Sequence, residues 1–195
     1  MSVTIRAIIF DCFGVIITDG LEAVVQQLEK TDSQARGFIS GIIKQNNVGL
    51  ITPEESNRHI AEYLDVPVGE WRKMVTVGEV KNADLLAWIV SLRPRYKTAL
   101  LSNIGQDSLR QRFSAVELSR LFDEVIISGD VGIIKPDPQI YHLTAERLAV
   151  IPEECVFLDD RQTHVQGAIS VGMHGIHYQT FRQAKAELEV LLSGT

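Results

Sequence analysis

Residues 5–15 read IRAIIFDCFGV, an apolar run broken only by Arg6 that ends at Asp11. Three further short apolar runs follow along the chain, at Thr98–Leu101, Val125–Ile127 and Cys155–Leu158. A fifth and weaker run is Gly175–Tyr178. Continuous apolar runs of this length are typical of parallel strands that are buried on both faces. The sequence therefore predicts a buried parallel sheet.

Helical patterns separate the later runs. They cover Asn82–Leu92, Ser108–Leu121, Pro138–Leu148 and Thr163–Val171. Asp137 stands before Pro138, which is the order of an N-cap residue and a proline in the first helical position. Strands that alternate with helices indicate an α/β fold, here a doubly wound, Rossmann-like parallel sheet.

The interval between the first and second runs has no convincing strand and is instead predicted to be helical. A capping box with proline at its first helical position, Thr52-Pro53-Glu54-Glu55, begins one helix. Further helices are expected over Leu21–Lys30, Gln34–Lys44 and Val68–Thr76. The prediction is a small helical cap with its linkers over residues 14–81, inserted after the first strand of a core formed by residues 1–13 and 82–195.

Composition narrows the class of protein. The 195 residues are 45% hydrophobic and 23% charged, with a formal net charge of −6 and only two cysteines. These values exclude a disordered chain and a disulfide framework, and the negative charge disfavours nucleic-acid binding. No apolar run approaches the roughly 18 residues of a membrane helix. We expect a cytoplasmic protein with reduced thiols and without nucleic-acid or membrane partners; no pattern indicates an oligomeric state.

Polar side chains follow the predicted strands at the points where the strands end. Asp11 ends the first run, Ser102 the second and Asp159-Asp160 the fourth, while Lys135 follows the third. Ligands of open α/β sheets bind at the carboxyl ends of the strands. Clustered carboxylates suit Mg²⁺, a carboxylate can also attack phosphorus, and Lys135 and Ser102 are suited to phosphate oxygens. The pattern predicts a site for phosphoryl transfer.

Four segments at these strand ends resemble, in order, the four motifs of the haloacid dehalogenase-like hydrolase superfamily. They are Asp11–Val15, Leu101–Asn103, Lys135–Asp137 and Phe157–Asp160. With the helical cap after the first strand, the chain looks most like the branch of small cytosolic phosphatases with a compact helical cap. The resemblance spans nearly the whole chain.

The resemblance implies a role for each matching residue. Asp11 would be the nucleophile, with Ser102 and Lys135 as its catalytic partners. Ser102, Asn103 and Lys135 would bind the substrate. Magnesium would be held by Asp11, by the backbone carbonyl of Phe13 and by Asp160, with Asp159 and His164 in support.

The chain departs from the family pattern at two positions. Most phosphatases of the superfamily carry a second Asp, the general acid/base, where this chain has Phe13, and general acid–base help contributes about 10²–10⁴-fold. Dehalogenases of the superfamily also carry an aromatic residue there, but their site resembles a metal-free one. His164 replaces the usual Asn or Asp, and either orients a metal-bound water or caps the following helix. Asp19 is a candidate to replace the missing general acid/base, although the favoured interpretation is that Asp19 is a solvated turn residue.

The favoured hypothesis is therefore a magnesium-dependent phosphatase that acts on a small phosphomonoester through an aspartyl-phosphate. The first alternative is a hydrolase of the 2-haloacid dehalogenase type. The second is a catalytically weak protein that binds a phosphate or a phosphosugar. Structural roles also stay open at this point: Ser102-Asn103 and Asp159-Asp160 as helix caps, and Lys135 as a solvated loop lysine.

Overall fold

The computed structural model describes residues 4–193; residues 1–3 and 194–195, which the sequence assigns to the core, lie outside that range. Within it, five strands form one parallel sheet in the order β3-β2-β1-β4-β5. Their bounds are β1 Ala7–Phe10, β2 Lys97–Ser102, β3 Glu124–Ile127, β4 Cys155–Asp159 and β5 His174–His177. The predicted doubly wound α/β fold is confirmed.

The centre of the sheet is β1, which lies between β2 and β4. Phe10 pairs with Leu100 on one side and with Leu158 on the other, and all four residues of β1 are fully buried. The chain runs outward from β1 through β2 to β3 and then returns to β4, so the strand order reverses between β1 and β4. Such a switch point opens a crevice at the carboxyl ends of the strands. Asp11 and Asp159 lie at its two edges.

Helices cover both faces of the sheet. One face packs against α5 (Ala83–Leu92), α6 (Ala115–Leu121) and α10 (Phe181–Ser193), and the other against α8 (Pro138–Arg147) and α9 (Gln162–Ser170). Successive strand residues point to opposite faces, which is why Ile8 and Ile9 belong to different core clusters. Between β3 and α8 lies a short helix, α7 (Ser128–Val131). Both faces are thus buried, as a parallel sheet requires.

Between β1 and α5 the chain forms helices α1 (Gly20–Leu28), α2 (Ala35–Asn47), α3 (Pro53–Tyr63) and α4 (Val68–Val77), called here the four-helix segment. Their apolar faces form a cluster of their own that includes Val25, Ile39, Ile60 and Trp71. The predicted capping box begins α3, since the Glu55 amide donates to Thr52 Oγ1 and the Thr52 amide to the Glu55 carboxylate. Helices are present throughout the predicted interval. Of the helices formed by residues 4–193, none is long and apolar enough to cross a membrane.

The single helix predicted over Ser108–Leu121 is wrong. The segment is a 3₁₀ helix over Ser108–Gln111, a break, and then α6. Ser114 causes the break because its hydroxyl accepts from the Glu117 amide while its own amide donates to the Glu117 carboxylate, which starts a new helix. Arg112 lies in this break and lines the crevice at the strand ends.

Candidate active site

A buried lysine ties three strand ends together. The Lys135 ammonium donates to Asp11 Oδ1 at 2.8 Å, to Asp159 Oδ2 at 2.6 Å and to the Leu101 carbonyl at 2.9 Å. An ammonium group has three protons, so its donor capacity is complete. Lys135 is only 2% exposed and is therefore not a solvated loop lysine. It joins the ends of β1, β2 and β4 at the strand-order switch.

The charges of this cluster depend on one another. Although burial opposes ionisation, the Lys135 ammonium and the His164 ring hold the pKa of Asp159 at about 2. Burial raises the pKa of Asp11, an effect that Lys135 opposes. Burial works against the charged lysine too, but the two carboxylates keep the pKa of Lys135 above its ordinary value. The cluster thus carries one more negative charge than positive when both carboxylates are ionised.

Asn103 holds the lysine loop in place. Its Nδ2 donates to the Lys135 carbonyl at 2.9 Å, and its Oδ1 accepts from the Lys135 amide at 2.8 Å. Both ends of the Asn103 amide are therefore engaged by one residue of the neighbouring loop. Ser102, at the end of β2, is 1% exposed and lines the crevice.

Asp159 has the contacts of a supporting residue. Its Oδ1 accepts from the Arg161 amide at 2.8 Å, its Oδ2 accepts from Lys135, and His164 Nδ1 lies 3.0–3.1 Å from both oxygens. His164 is 8% exposed and also lines the crevice. Asp159 therefore orients Lys135 and His164 from beneath the site.

Asp160 has the features of a cation ligand. Its Oδ1 is buried, and no hydrogen-bond donor within residues 4–193 reaches it. Oxygens of Asp11, Asp159 and Asp160 lie within 4.8 Å of one another. Burial and the neighbouring Asp11 and Asp159 charges raise the pKa of Asp160 to about 7. A divalent cation here would satisfy the unpaired oxygen and offset the like charges, so these residues fit Mg²⁺.

Gly14 makes room for that carboxylate. Its φ is +83°, a conformation that costs non-glycine residues energy, and a Cβ at this position would lie 2.4 Å from Asp160 Oδ2. The glycine three residues after Asp11 is thus required both by the turn and by the position of Asp160.

A cavity of about 260 Å³ lies above the strand ends. Asp11, Ser102 and Lys135 line it from the sheet, and Asn46, Asn57 and Trp71 line it from the four-helix segment. The cavity therefore places both parts of the chain around the same space.

Asp19 also lines this cavity. It is the N-cap of α1, accepting from the Glu22 amide at 2.9 Å, and one carboxylate oxygen lies 3.9 Å from the Arg161 guanidinium. Its side chain is only 20% exposed, so it is not the solvated turn residue that the sequence favoured. Burial raises the pKa of Asp19.

The sequence analysis missed an ion pair beside Phe13. The Arg112 guanidinium lies 5.0 Å from the centre of the Phe13 ring, a cation–π contact. The same guanidinium donates twice to the Glu79 carboxylate, at 2.7 Å and 2.5 Å. The single helix predicted over residues 108–121 gives no indication of the break that brings Arg112 to Phe13. The Ser114-x-x-Glu117 capping box was the signal that could have revealed it.

Comparison with known proteins identifies the family of the chain. The sequence family described as haloacid dehalogenase-like hydrolase matches residues 5–172. The chain belongs to the haloacid dehalogenase-like hydrolases. Among solved structures, a HAD family enzyme from Bacteroides thetaiotaomicron in complex with magnesium and inorganic phosphate superposes with a TM-score of 0.76 at 22% identity, over 91% of this chain and 95% of that one. At this identity the likeness shows the shared fold.

Curated relatives of this HAD chain include longer proteins. Mouse acyl-CoA dehydrogenase family member 10 is 31% identical over 96% of this chain and 19% of its own length. Pig bifunctional epoxide hydrolase 2 is 30% identical over 95% of this chain and 38% of its own length. The chain thus spans well under half of these two relatives.

Shorter matches link the chain to two kinds of hydrolase. A phosphorylated carbohydrates phosphatase of Thermotoga maritima is 35% identical over 49% of this chain and 45% of its own length. An (S)-2-haloacid dehalogenase of Burkholderia cepacia is 33% identical over 42% of this chain and 35% of its own length. Phosphatases and dehalogenases are therefore both among its relatives.

Proposed function

We propose that this HAD hydrolase is a magnesium-dependent phosphatase that acts on a small phosphomonoester through an aspartyl-phosphate. The observation that carries the proposal is the acidic group at the strand ends: Asp11, hydrogen-bonded to a buried ammonium, has an oxygen within 4.8 Å of an Asp160 oxygen, and Asp160 Oδ1 has no donor within residues 4–193. A metal-free hydrolase has no need of that unpaired carboxylate.

Asp11, Asp160 and the backbone carbonyl of Phe13 would hold Mg²⁺. When bound, the cation would offset the repulsion between the Asp11 carboxylate and a phosphate group. Ser102 and Lys135 would bind the phosphoryl oxygens, and Asn103 would keep Lys135 in position. A HAD family enzyme of the same fold from Bacteroides was solved with magnesium and inorganic phosphate, which supports the choice of cation and of a phosphate ligand.

Two displacements at phosphorus make up the reaction. In the first, an Asp11 oxygen forms a bond to phosphorus while the bond to the alcohol oxygen breaks and its electron pair leaves with that oxygen. In the second, water attacks the same phosphorus, the bond to Asp11 breaks, and phosphate and the free carboxylate are released. Phe13 has no proton to exchange in either step, so the proton for the leaving oxygen comes from water or from Asp19, which lines the cavity. Turnover should be slow for alcohols that are poor leaving groups.

The four-helix segment would act as the cap over this site, within residues 14–81. Asn46, Asn57 and Trp71 line the cavity opposite the strand ends, which supports a role for the segment in excluding water and choosing substrates. Two buried free thiols, Cys12 and Cys155, support a reducing, cytoplasmic location.

The second candidate is halide displacement from a 2-haloacid, and Phe13 is the observation that favours it. An aromatic residue in place of the acid/base is also found in dehalogenases of the superfamily, and a dehalogenase is among the relatives. In that reaction Asp11 would attack carbon, and no cation would be needed.

Product release from two substrate panels tests the proposal. Phosphomonoesters and 2-haloacids are each incubated with the protein in Mg²⁺ and in chelator, and phosphate and halide are measured. We expect phosphate release that needs Mg²⁺ and is lost in Asp11→Asn, with exposed Asp84→Asn as the matched control. Halide release that persists in chelator would establish the dehalogenase instead. Binding of phosphate without turnover of any ester would establish the weak binding protein.

A further inference from the structure

Arg161 differs from the other cations that line the cavity. Each of those cations is hydrogen-bonded to a carboxylate: Lys135 to Asp11 and Asp159, Arg112 to Glu79, and Arg72 to Glu54. The Arg161 guanidinium makes no hydrogen bond within residues 4–193, and its ion-pair partner there, Asp19 Oδ2, lies 3.9 Å away, beyond hydrogen-bond distance. The donors of Arg161 are therefore available to a molecule in the cavity.

The main chain of Arg161 is fixed beside the proposed metal site. Arg161 directly follows Asp160, and its amide donates to Asp159 Oδ1 at 2.8 Å. The side chain extends from the end of β4 towards Asp19, the N-cap residue of α1. It is 57% exposed and lies on the open side of the cavity, whereas Asp11 is 7% exposed. Because the strand ends close the cavity at Asp11, the alcohol part of a bound ester extends towards this open side.

We propose that the Arg161 guanidinium binds a second anionic group, a carboxylate or a phosphate, on the alcohol part of the substrate, so that the protein prefers phosphomonoesters of anionic alcohols. The inference rests on the proposed phosphatase function and names its substrate class. A guanidinium presents paired N–H donors that match two oxygens of a carboxylate or a phosphate. Arg161 is therefore suited to such a group.

One carboxylate of the lining acts against this preference. Within the part of the chain that the structure describes, the lining carboxylates are those of Asp11, Asp19 and Glu79. Asp11 is bonded to Lys135 and Glu79 to Arg112, so both of these charges are compensated inside the protein. The Asp19 carboxylate accepts only a backbone amide proton, and its charge competes for the guanidinium that we assign to the substrate.

Two matched substrate pairs test the inference: 3-phosphoglycerate with glycerol 3-phosphate, and 2-phosphonoethyl phosphate with 3-hydroxypropyl phosphate. The members of each pair differ in having an anionic or a hydroxymethyl end, and the two pairs distinguish a carboxylate from a phosphate-like group. The readout is the ratio of kcat/KM for the anionic member to that for the neutral member, measured in Mg²⁺. We expect wild type to prefer the anionic member of at least one pair, and to do so less at high salt, which screens exposed charges.

Substitutions of Arg161 should lower this ratio. Arg161→Gln removes the charge, and we expect a decrease of about three- to tenfold, the range for a charge-assisted contact that solvent partly screens. Arg161→Lys keeps the charge without the paired donors and should retain part of the preference. Arg110→Gln is the matched control, because Arg110 is an 84% exposed arginine of the core that does not line the cavity, and it should leave the ratio unchanged.

Asp19→Asn should change the ratio in the opposite direction. Asparagine caps helices as well as aspartate does, so α1 keeps its N-cap. Loss of the competing charge should raise the ratio about two- to fivefold, and the rise should be smaller in the double variant with Arg161→Gln. If the contact between Arg161 and Asp19 served only to hold the four-helix segment, both single variants would instead slow both members of a pair alike.

The outcomes separate the two proposals, with 4-nitrophenyl phosphate as the general phosphatase substrate. Hydrolysis of neither this compound nor any of the four esters by wild type would refute the phosphatase function. Hydrolysis without a preference for either anionic ester, or a preference that is unchanged in Arg161→Gln, would refute the role of Arg161 and leave the phosphatase function standing. A ratio that falls in Arg161→Gln and rises in Asp19→Asn would establish that role.

Discussion

Replacing Lys135 by methionine should destabilise the metal-free protein by about 3–5 kcal/mol at neutral pH. The change removes the cation that Asp11 and Asp159 share, at 2.8 Å and 2.6 Å, while both carboxylates stay buried with side-chain exposures of 9% and 0%. Breaking a buried ion pair by removing one partner costs this much because the remaining charge has no compensation. Methionine fills a similar volume, so the loss arises mainly from charge.

The penalty should depend on pH in a defined direction. In wild type the pKa of Asp159 is depressed to about 2, so its ionised form adds stability that is present above its unfolded pKa and is lost only as the pH falls towards 2. Without Lys135, burial and the Asp11 charge should raise the pKa of Asp159, and the carboxyl group can then take up a proton in mild acid. The difference in stability between wild type and variant should therefore shrink between about pH 7 and about pH 4.5.

Urea unfolding in chelator at these two pH values measures both effects. Lys97→Met is the matched control, because the Lys97 ammonium donates to the Leu148 carbonyl and belongs to no buried carboxylate cluster. That variant should lose about 1 kcal/mol, equally at both pH values. A loss below about 1 kcal/mol in Lys135→Met at neutral pH, or one that does not change with pH, would refute the argument from buried charge.

Three further predictions concern the metal and the missing acid. Asp160→Ala should raise the Mg²⁺ concentration needed for phosphate release or abolish release, and an unchanged Mg²⁺ titration would leave Asp160 with a structural role. Gly14→Ala should raise the same requirement, because the new Cβ would lie 2.4 Å from Asp160 Oδ2; wild-type affinity for Mg²⁺, measured by calorimetry, would contradict this. Phe13→Asp should increase kcat/KM for alkyl relative to aryl phosphates, by at most about 10²–10⁴-fold and less where Arg112 pairs with the new carboxylate. An unchanged or lower alkyl-to-aryl ratio would show that Phe13 does not occupy the acid/base position.

Local sequence pattern was sufficient to predict the fold class. Buried parallel strands are apolar throughout, so the runs at Ile5–Phe10 and Cys155–Leu158 were visible without a structure. Because the carboxyl ends of parallel strands meet at one edge, Asp11, Lys135 and Asp159 could be expected to lie close together. The sheet order, with β1 at the centre, depends on long-range pairing and was not predicted.

Features that depend on contacts between distant segments could not be predicted from the sequence either. The Asn103 amide bonds to a backbone 32 residues away, which no spacing rule describes. The approach of the Arg161 guanidinium to Asp19 becomes apparent only once β4 and α1 lie beside the same cavity. The position of Arg112 depends on a local feature, the helix break that the capping box of Ser114 and Glu117 indicates.

The central claim is that Asp11 becomes phosphorylated, and mass spectrometry of the Asp11 peptide tests it most directly. An aryl phosphate is a suitable substrate, because its leaving group needs little protonation and the first displacement should be fast. The second displacement lacks a general base at Phe13 and should be slower, so the intermediate should accumulate. In samples quenched with acid during turnover in Mg²⁺, we expect a phosphoryl adduct on Asp11 in a substantial fraction of the protein. Continued release of phosphate with Asp11 unmodified, or an adduct on another residue, would contradict the account.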